Sequence, residues 1–256
     1  MKKETRNLKL FALTLGTCAA ALFAPVQNVH AESFTPEQVK ELEGLFKQFL
    51  ADNPEAILKS VDDYRAEQEK KTQQSAKENL KEYKSYFEDN SLPMAGNPDG
   101  DVTVVEYFDY NCGYCRKAFS DLQKLMQEDK NIRVVFQEMP ILSPSSKKMA
   151  EFAMAAHKQG KYFEMHQALM DYRGSQSDEA YHKLAMDIGL DLEKLKADAA
   201  SEAVAGEIQK AVEMARSLGV RGTPGFIIGD EVYPGYIGME GLKKAIETAR
   251  AAKAGE

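Results

Sequence analysis

Two cysteines separated by two residues are the part of this sequence best suited to chemistry. Cys112 and Cys115 enclose Gly113-Tyr114 and follow VTVVEYF, residues 102–108, whose β-branched composition is typical of a buried strand. The residues after them have helical periodicity, which predicts a helix that begins at the C-x-x-C. A helix N-terminus favours an anion, so it favours the thiolate of Cys112. We therefore predict that Cys112 is the nucleophile and that Cys115, one turn later, resolves a mixed disulfide.

Other roles for the pair fit the sequence less well. A structural zinc site needs four ligands, and a second C-x-x-C is missing. The fold would have to supply histidines instead: His157, His166 and His182. A permanent structural disulfide across so short a loop would restrain the unfolded chain little. We expect neither a metal nor a cofactor, only a redox-active Cys112–Cys115 disulfide.

Copper binding through methionine is a further alternative. The methionines of the helical region stand among Ala, Phe and Leu at helical spacings, where Met usually fills gaps in a core. They are Met149, Met154, Met165, Met170 and Met186. Copper ligation by the reduced Cys112/Cys115 pair is somewhat more plausible than ligation by these methionines.

The elements around the cysteines predict an α/β domain. A strand at 102–108, a helix through Leu125 and a second strand at 132–139 form a strand–helix–strand unit, for which a parallel pairing is expected. Residues 145–219 are helical in pattern. Strands at 225–228 and 231–233 follow, and a helix begins near Met239. The predicted order is β-α-β, an all-helical insertion, then β-β-α.

The residues before this domain form an amphipathic segment followed by a polar one. Residues 34–64 predict two amphipathic helices, with Asp52-Asn53 ending the first and Pro54 beginning the second. Residues 65–91 begin with a stretch that lacks large apolar side chains and predicts a solvated helix or a flexible linker. An apolar stripe resumes at Leu80 and is expected to dock on the domain formed by residues 92–256.

The stripe on residues 32–64 needs a partner. About thirty residues of helix cannot form a stable core alone. We expect self-association through residues 34–64, giving a homodimer or homotrimer; the alternative is that the stripe folds back on its own domain.

The first residues have the order of a targeting signal. A basic segment, 1–9, precedes an apolar run, 10–24, and then Val29-His30-Ala31. This order predicts a secretory signal peptide, residues 1–31, cleaved after Ala31, and hence no stable membrane insertion afterwards. A lipidated Cys18 is the weaker alternative. Cleavage removes Cys18 and leaves Cys112 and Cys115 as an isolated pair in an oxidising compartment.

The charge excludes one class of function. Lys and Arg number 33 against 40 Asp and Glu, a formal net charge of -7. Binding to nucleic acid in general requires a basic surface that displaces counterions from phosphates. We therefore expect no nucleic-acid partner.

Two motifs carry a family resemblance. FDYNCGYC after VTVVEY, and VRGTPGFIIG about a hundred residues later, resemble the DsbA-like periplasmic family, which has a thioredoxin fold with a helical insertion. The resemblance implies that Thr223-Pro224 holds a cis peptide bond facing the C-x-x-C and contacts substrate together with Gly113 and Tyr114. It also implies that Glu106 matches an acidic position of the family. A buried carboxylate there would accept or relay the proton of Cys115; the alternative is an outward-facing surface acid.

Within the family the sequence looks most like the ScsC type (suppressor of copper sensitivity), whose N-terminal helical extension forms dimers or trimers. Gly113-Tyr114 is also the dipeptide of DsbC-type isomerases, whereas strongly oxidising DsbA proteins have Pro-His. The resemblance thus implies a less oxidising couple and an oligomeric periplasmic disulfide isomerase connected with copper tolerance. Its partners would be misfolded or oxidised secreted proteins and a membrane thiol reductase. The alternatives are a DsbA-like dithiol oxidase and a copper-handling or surface binding module without redox turnover.

Overall fold

The computed structural model describes residues 34–255. The predicted signal peptide, its cleavage after Ala31 and the lipidation alternative at Cys18 lie outside these residues. The chain divides into two compact units, one ending at Lys59 and one beginning at Ser60. Within the described residues, no helix is long and apolar enough to cross a membrane.

The first described helix of the N-terminal unit is α1, Pro36–Asp52. Thr35 caps this helix: its hydroxyl accepts from the backbone N–H of Gln38 at 3.2 Å, and the Gln38 side chain accepts from the N–H of Thr35 at 2.9 Å. Pro36 then occupies a position where its missing N–H costs nothing. The helix ends at Asn53, and helix α2 begins at Pro54, so the predicted break between the two helices is confirmed.

Helix α2 runs without interruption from Pro54 to Phe87. It includes the polar stretch 65–79, for which a flexible linker was one of two expectations; that alternative is wrong. The stretch consists mainly of good helix formers, and Lys71 pairs with Glu67 at 2.8 Å one turn earlier. Local propensity and such pairs support a helix whose side chains are mostly exposed, and near its end Ala76 is buried and the Asn79 side chain donates to the carbonyl of Ser217 at 2.8 Å.

The domain contains a five-stranded sheet in the order β1-β3-β2-β4-β5. Strands β2 and β3 are parallel, with Val102 opposite Ile132 and Phe108 opposite Glu138; the other neighbours are antiparallel. The predicted strand–helix–strand unit is therefore confirmed. The strands are β1 (Met94–Gly96), β2 (Val102–Phe108), β3 (Ile132–Glu138), β4 (Gly225–Ile228) and β5 (Glu231–Pro234).

In sequence, helices connect β2 to β3 and β3 to β4, and another helix ends the domain. Helix α3, Gly113–Glu128, connects β2 to β3, and helix α9, Gly238–Ala254, follows β5. The predicted helical insertion is confirmed as five helices within residues 144–217. They are α4 (Pro144–His157), α5 (Tyr162–Asp171), α6 (Asp178–Asp187), α7 (Leu192–Ala199) and α8 (Glu202–Ser217).

Alternation along β2 separates two hydrophobic clusters. Val104 and Phe108 belong to a large cluster with α3 and the insertion helices, whereas Val105 and Tyr107 belong to a smaller one. Four of the five methionines considered for copper lie buried in the large cluster, as expected of gap-fillers, and Met186 is exposed. The buried four are Met149, Met154, Met165 and Met170.

The end of α2 packs on the smaller cluster. Leu80 and Phe87 are buried there, so the predicted docking of this stripe is confirmed. Arg133, buried on β3, donates to the carbonyl of Phe87 and to that of Asp89 at 2.7 Å. The last carbonyls of a helix lack intrahelical partners, so this guanidinium supplies the donors they need. The end of α2 is thus fastened to the central sheet.

Candidate active site

Cys112 and Cys115 occupy the start of α3. Cys112 is the N-cap of the helix, and its backbone N–H donates to the carbonyl of Asp109 at 3.0 Å. Both residues are free thiols. Cys112 retains 8% of its surface exposed, whereas Cys115 has none. This difference in access matches the predicted division between an attacking and a resolving thiol.

The loop before β4 faces Cys112. The Thr223–Pro224 peptide bond is cis, as the resemblance implied. The thiol of Cys112 donates to the carbonyl of Thr223 at 3.3 Å. The structure therefore brings together two segments that are separated by more than a hundred residues.

An aromatic surface lies beside the C-x-x-C. The Tyr114 side chain is 64% exposed, and its ring centroid is 5.8 Å from that of Tyr236, in the segment after β5. The hydroxyl of Tyr236 donates to Asp121 at 2.5 Å, and this bond raises the pKa of Tyr236 to about 12. The Lys117 ammonium lies 5.1 Å from the Tyr236 ring centroid. Tyr114 thus has ordered neighbours while presenting its ring to solvent.

Glu106 is fully buried in the middle of β2. It pairs with Phe136 on β3 and Phe226 on β4, and neither of its carboxyl oxygens has a hydrogen-bond partner among residues 34–255. Burial raises the pKa of Glu106 well above its usual value, and the nearby Cys112 and Glu138 act in the same direction. The alternative of an outward-facing surface acid is wrong.

Cys115, the thiol predicted to resolve the mixed disulfide, shares this environment. Burial raises the pKa of Cys115, and the carboxylate of Glu106 raises it further. A thiol attacks only as its thiolate, so Cys115 needs an acceptor for its proton. Glu106 is close enough to influence Cys115 electrostatically and has free lone pairs to receive a proton.

Asp109, three residues before Cys112, connects the two loops of the site. One carboxylate oxygen accepts from the backbone N–H of Asn111 at 2.8 Å. The other accepts from the N–H groups of Ile141 and Leu142 at 2.8 and 2.9 Å. The turn that precedes Cys112 is thereby held to the loop that follows β3.

Asn111 makes a second connection, to the helical insertion. Its side-chain nitrogen lies within 2.8–2.9 Å of three serine hydroxyls, and its oxygen accepts from Gln176 at 2.5 Å. The serines are Ser143, Ser145 and Ser146. We call Asp109, Asn111 and these partners the loop clasp. Sequence reasoning missed it, and Asn111, adjacent to Cys112 and polar, was the only visible signal.

The described histidines have aromatic or backbone partners. His166 is buried among aromatic rings, and His157 contacts the carbonyl of Ser91 at 2.7 Å. Across residues 34–255, no group of three or more His, Cys, Asp or Glu side chains is arranged to hold a metal ion.

Comparisons with known proteins agree with this geometry. Residues 103–247, more than half of the chain, match the family described as DSBA-like thioredoxin domain. The Na(+)/H(+) antiporter NhaA 3 of Salinispora tropica is 31% identical over 160 residues, which is 62% of this chain and 24% of that protein. The chain thus spans about a quarter of the length of the curated relatives it matches.

Solved structures cover the same region. A thioredoxin-like oxidoreductase from Silicibacter pomeroyi is 42% identical, with a TM-score of 0.61 over 64% of this chain and 95% of that one. The thiol-disulfide exchange protein alpha-DsbA2 of Wolbachia pipientis is 30% identical, with a TM-score of 0.62 over 69% and 96% of the two chains.

A likeness of fold alone extends further toward the N-terminus. A linker-deleted ScsC variant of Proteus mirabilis, 22% identical, has a TM-score of 0.64 over 87% of this chain and 99% of that one. The matched family profile, the five-stranded sheet with its helical insertion and the C-x-x-C at the start of α3 lead to one assignment. This chain belongs to the family of DSBA-like thioredoxin domains.

Proposed function

We propose that the chain is a thiol–disulfide oxidoreductase that acts on protein disulfides in the periplasm. The observation that carries the proposal is the asymmetry of the two thiols. Cys112 is partly accessible at the N-terminus of α3, and Cys115 is buried beside Glu106. The family membership and the neighbouring oxidoreductase structures support the same chemistry. The predicted signal peptide supports the compartment.

The proposed thiol–disulfide exchange consists of two successive displacements at sulfur. The Cys112 thiolate attacks one sulfur of a substrate disulfide, forms a mixed disulfide and releases the other sulfur as a thiolate. The Cys115 thiol gives its proton to Glu106 and attacks the Cys112 sulfur, which releases the second substrate thiolate. The substrate is then reduced and the protein carries the Cys112–Cys115 disulfide. When a substrate thiolate attacks the mixed disulfide first, the substrate disulfide is rearranged and Cys112 is restored.

Within this chemistry we propose isomerisation as the main activity, with oxidation as the alternative. Gly113-Tyr114 between the cysteines lacks a histidine whose partial charge would stabilise the Cys112 thiolate. A less stabilised thiolate makes the disulfide less oxidising. Isomerisation consumes no electrons overall but must start from reduced Cys112. The proposal therefore includes misfolded secreted proteins as substrates and a membrane thiol reductase as the source of electrons.

We further propose that the protein assembles with copies of itself through residues 34–64. Most large apolar side chains of α1 and of the first turns of α2 are between 40% and 65% exposed in the part of the chain that the structure describes, and Leu50 is half-buried. The exposed ones are Val39, Leu42, Leu45, Phe46, Phe49, Ile57, Leu58, Val61 and Tyr64. A dimer or trimer would place several dithiols around one substrate. That arrangement favours rearrangement over a single oxidation.

The decisive experiment is refolding of a scrambled protein that needs several correct disulfides, without added oxidant. The reduced wild-type protein should restore its native pairing, and Cys112→Ser should abolish the activity because the nucleophile is gone. Cys115→Ser is the matched control, since it keeps the nucleophile and should accumulate mixed disulfide. Rapid oxidation of reduced substrate without refolding of scrambled substrate would identify an oxidase. If Cys112→Ser kept the full activity of the wild type, the chain would instead be a binding module without redox turnover.

A further inference from the structure

A second buried carboxyl lies at the end of β3. One oxygen of Glu138 accepts from the hydroxyls of Tyr110 at 3.1 Å and Tyr162 at 2.9 Å. The Tyr110 hydroxyl also lies 3.0 Å from Nδ1 of His166, whose ring stacks on that of Tyr162 at a centroid distance of 5.6 Å. We call these four residues the Glu138 network. All of them are buried.

The sheet register places this network next to the acid of the dithiol. Strands β2 and β3 are parallel, with Glu106 opposite Phe136 and Phe108 opposite Glu138. Residues two apart on a strand point to the same face, so Glu106 and Glu138 both point into the large cluster. Glu138 is two residues further along β3 than Phe136, the residue opposite Glu106. Each raises the energy of a negative charge on the other because neither is surrounded by water.

Glu138 differs from Glu106 in having access to the outside. It lines a cavity of about 200 Å³, whereas Glu106 does not. The other walls come from the end of α2, from α4 and from α8, and the ionisable side chains among them are Tyr86, Asp89, His157, Glu207 and Lys210. A proton can therefore pass between Glu138 and solvent without crossing the dithiol.

We propose that Glu138 is a positioning residue for the thiol–disulfide exchange: its proton is what allows Glu106 to ionise and so to accept the proton of Cys115. A charge on both neighbouring carboxyls is disfavoured in this apolar setting. While Glu138 is neutral and Cys112 is held in the mixed disulfide, ionisation of Glu106 is opposed by burial alone, so the carboxylate that can act as a base forms more readily. Once Glu138 loses its proton through the cavity, its charge opposes ionisation of Glu106 as well, and Cys115 lacks an acceptor more of the time.

Glu138 is the one member of the Glu138 network that changes its charge near neutral pH. Burial raises the pKa of Glu138 to about 8, the hydrogen bonds from Tyr162 and Tyr110 act against that rise, and the carboxylate of Asp109 adds to it. Burial raises the pKa values of Tyr110 and Tyr162 well above their usual range, and it lowers that of His166 to about 3. Both tyrosines and the histidine are therefore neutral where Glu138 titrates.

The inference rests on the proposed exchange chemistry, and stopped-flow reaction with Ellman's reagent isolates the relevant step. The first release of nitrothiobenzoate reports attack by Cys112, and the second reports attack by Cys115 on the mixed disulfide. Glu138→Gln should match the wild-type second rate below about pH 7 and exceed it about threefold or more above about pH 9, because the variant has no second charge. A ratio that is constant over this range would assign Glu138 a merely structural role and overturn the inference.

Tyr110→Phe provides an independent variant, which also serves if Glu138→Gln does not fold. It removes one donor to the Glu138 carboxylate, so the bend in the second-phase profile should move to higher pH. A bend that stays in place contradicts the network. Asn97→Ala, in an exposed turn, is the control and should leave the profile unchanged.

A measurement that needs no exchange activity separates this inference from the proposed function. In protein labelled with ¹³C at the glutamate carboxyls, one resonance should titrate near pH 8 and be absent from Glu138→Gln. Absence of that titration in a protein that exchanges disulfides normally overturns the role of Glu138 alone. Its presence in a protein that exchanges no disulfides leaves the titration intact and overturns the proposed function.

Discussion

Among single residues, Glu106 makes the stability of the protein depend on pH, because it is protonated in the folded state under conditions that ionise it in the unfolded chain. An unfolded chain ionises a glutamate near pH 4.5, whereas burial keeps Glu106 protonated to much higher pH. Between these two limits the folded state binds more protons than the unfolded state. The free energy of unfolding therefore falls as the pH rises through this window, and the contribution of Glu106 is complete only below the lower limit.

Glu106→Gln should make the reduced protein less sensitive to alkaline pH. One such group contributes a slope of about 1.4 kcal/mol per pH unit. Above about pH 6.5, the free energy of unfolding of the variant should fall less steeply with pH than that of the wild type, by up to this slope. Urea denaturation of the reduced protein at several pH values measures the difference.

Measurements above about pH 6.5 avoid an opposite effect of His166 on the pH dependence of stability. Burial lowers the pKa of His166 from 6.5 to about 3, so at lower pH the unfolded state binds the extra proton and stability rises with pH. Glu247→Gln, at an exposed position of α9, is the matched control and should keep the wild-type slope. Equal slopes for Glu106→Gln and the wild type would mean that Glu106 is ionised in the folded protein.

The residues of the site differ in how well sequence reveals them. Cys112 and Cys115 are visible because their spacing and position at a strand–helix junction have a chemical meaning. The resemblance to the family, together with its place inside a predicted strand, indicates Glu106. Glu138, Asp109 and Asn111 act through partners that only the register of β2 with β3 and the path of the insertion bring near, and neither can be read from local sequence.

At the scale of elements, the loop clasp holds together the ends of β2 and β3. Asp109→Ala would remove the acceptor of three backbone N–H groups, those of Asn111, Ile141 and Leu142, whose hydrogen bonds to Asp109 are part-buried. The free energy of unfolding should fall by about 2–4 kcal/mol, since three hydrogen bonds to one carboxylate are lost together. Chemical denaturation of the reduced protein measures this loss.

Hydrogen exchange shows whether the loss is local. The amides of Ile141 and Leu142 should exchange faster in Asp109→Ala, while those of β4 should change only as global stability does. Asn97→Ala is the control, because it removes one comparable side-chain acceptor in an exposed turn, that of the Asp99 N–H. Unchanged protection at both amides would show that the loop does not depend on Asp109.

The elements themselves were largely predictable. Composition and periodicity identified β2, α3 and β4, because each is either a continuous β-branched run or a helical stripe. They missed β1, whose three residues become a strand only by pairing with β3. Pattern also left 65–79 open between helix and linker, since a helix without a buried face has no stripe to detect.

At the scale of the whole molecule, the stripe on α1 predicts the oligomeric state. In the full-length mature chain, Leu45→Glu with Phe49→Glu should convert the oligomer to a monomer by placing two charges in an interface that excludes water. Light scattering gives the subunit number directly. Scrambled-substrate refolding should fall in the monomer, while the reaction of Cys112 with Ellman's reagent should not.

The control for this variant adds the same charge to the opposite face of α1. Gln48→Glu with Ala51→Glu also changes the net charge by two, at exposed positions. It should leave the subunit number unchanged. A wild-type chain that is already monomeric would refute self-association and weaken the case for isomerisation.

The contact between Cys112 and Thr223 has a consequence for catalysis. The thiol is a donor only while it keeps its hydrogen, so ionisation or formation of a mixed disulfide removes the donor from the Thr223 carbonyl. In the proposed exchange, that oxygen would be a vacant acceptor while the substrate chain is bonded to the Cys112 sulfur. It would then be available to a peptide N–H of the substrate until the Cys112 thiol is restored.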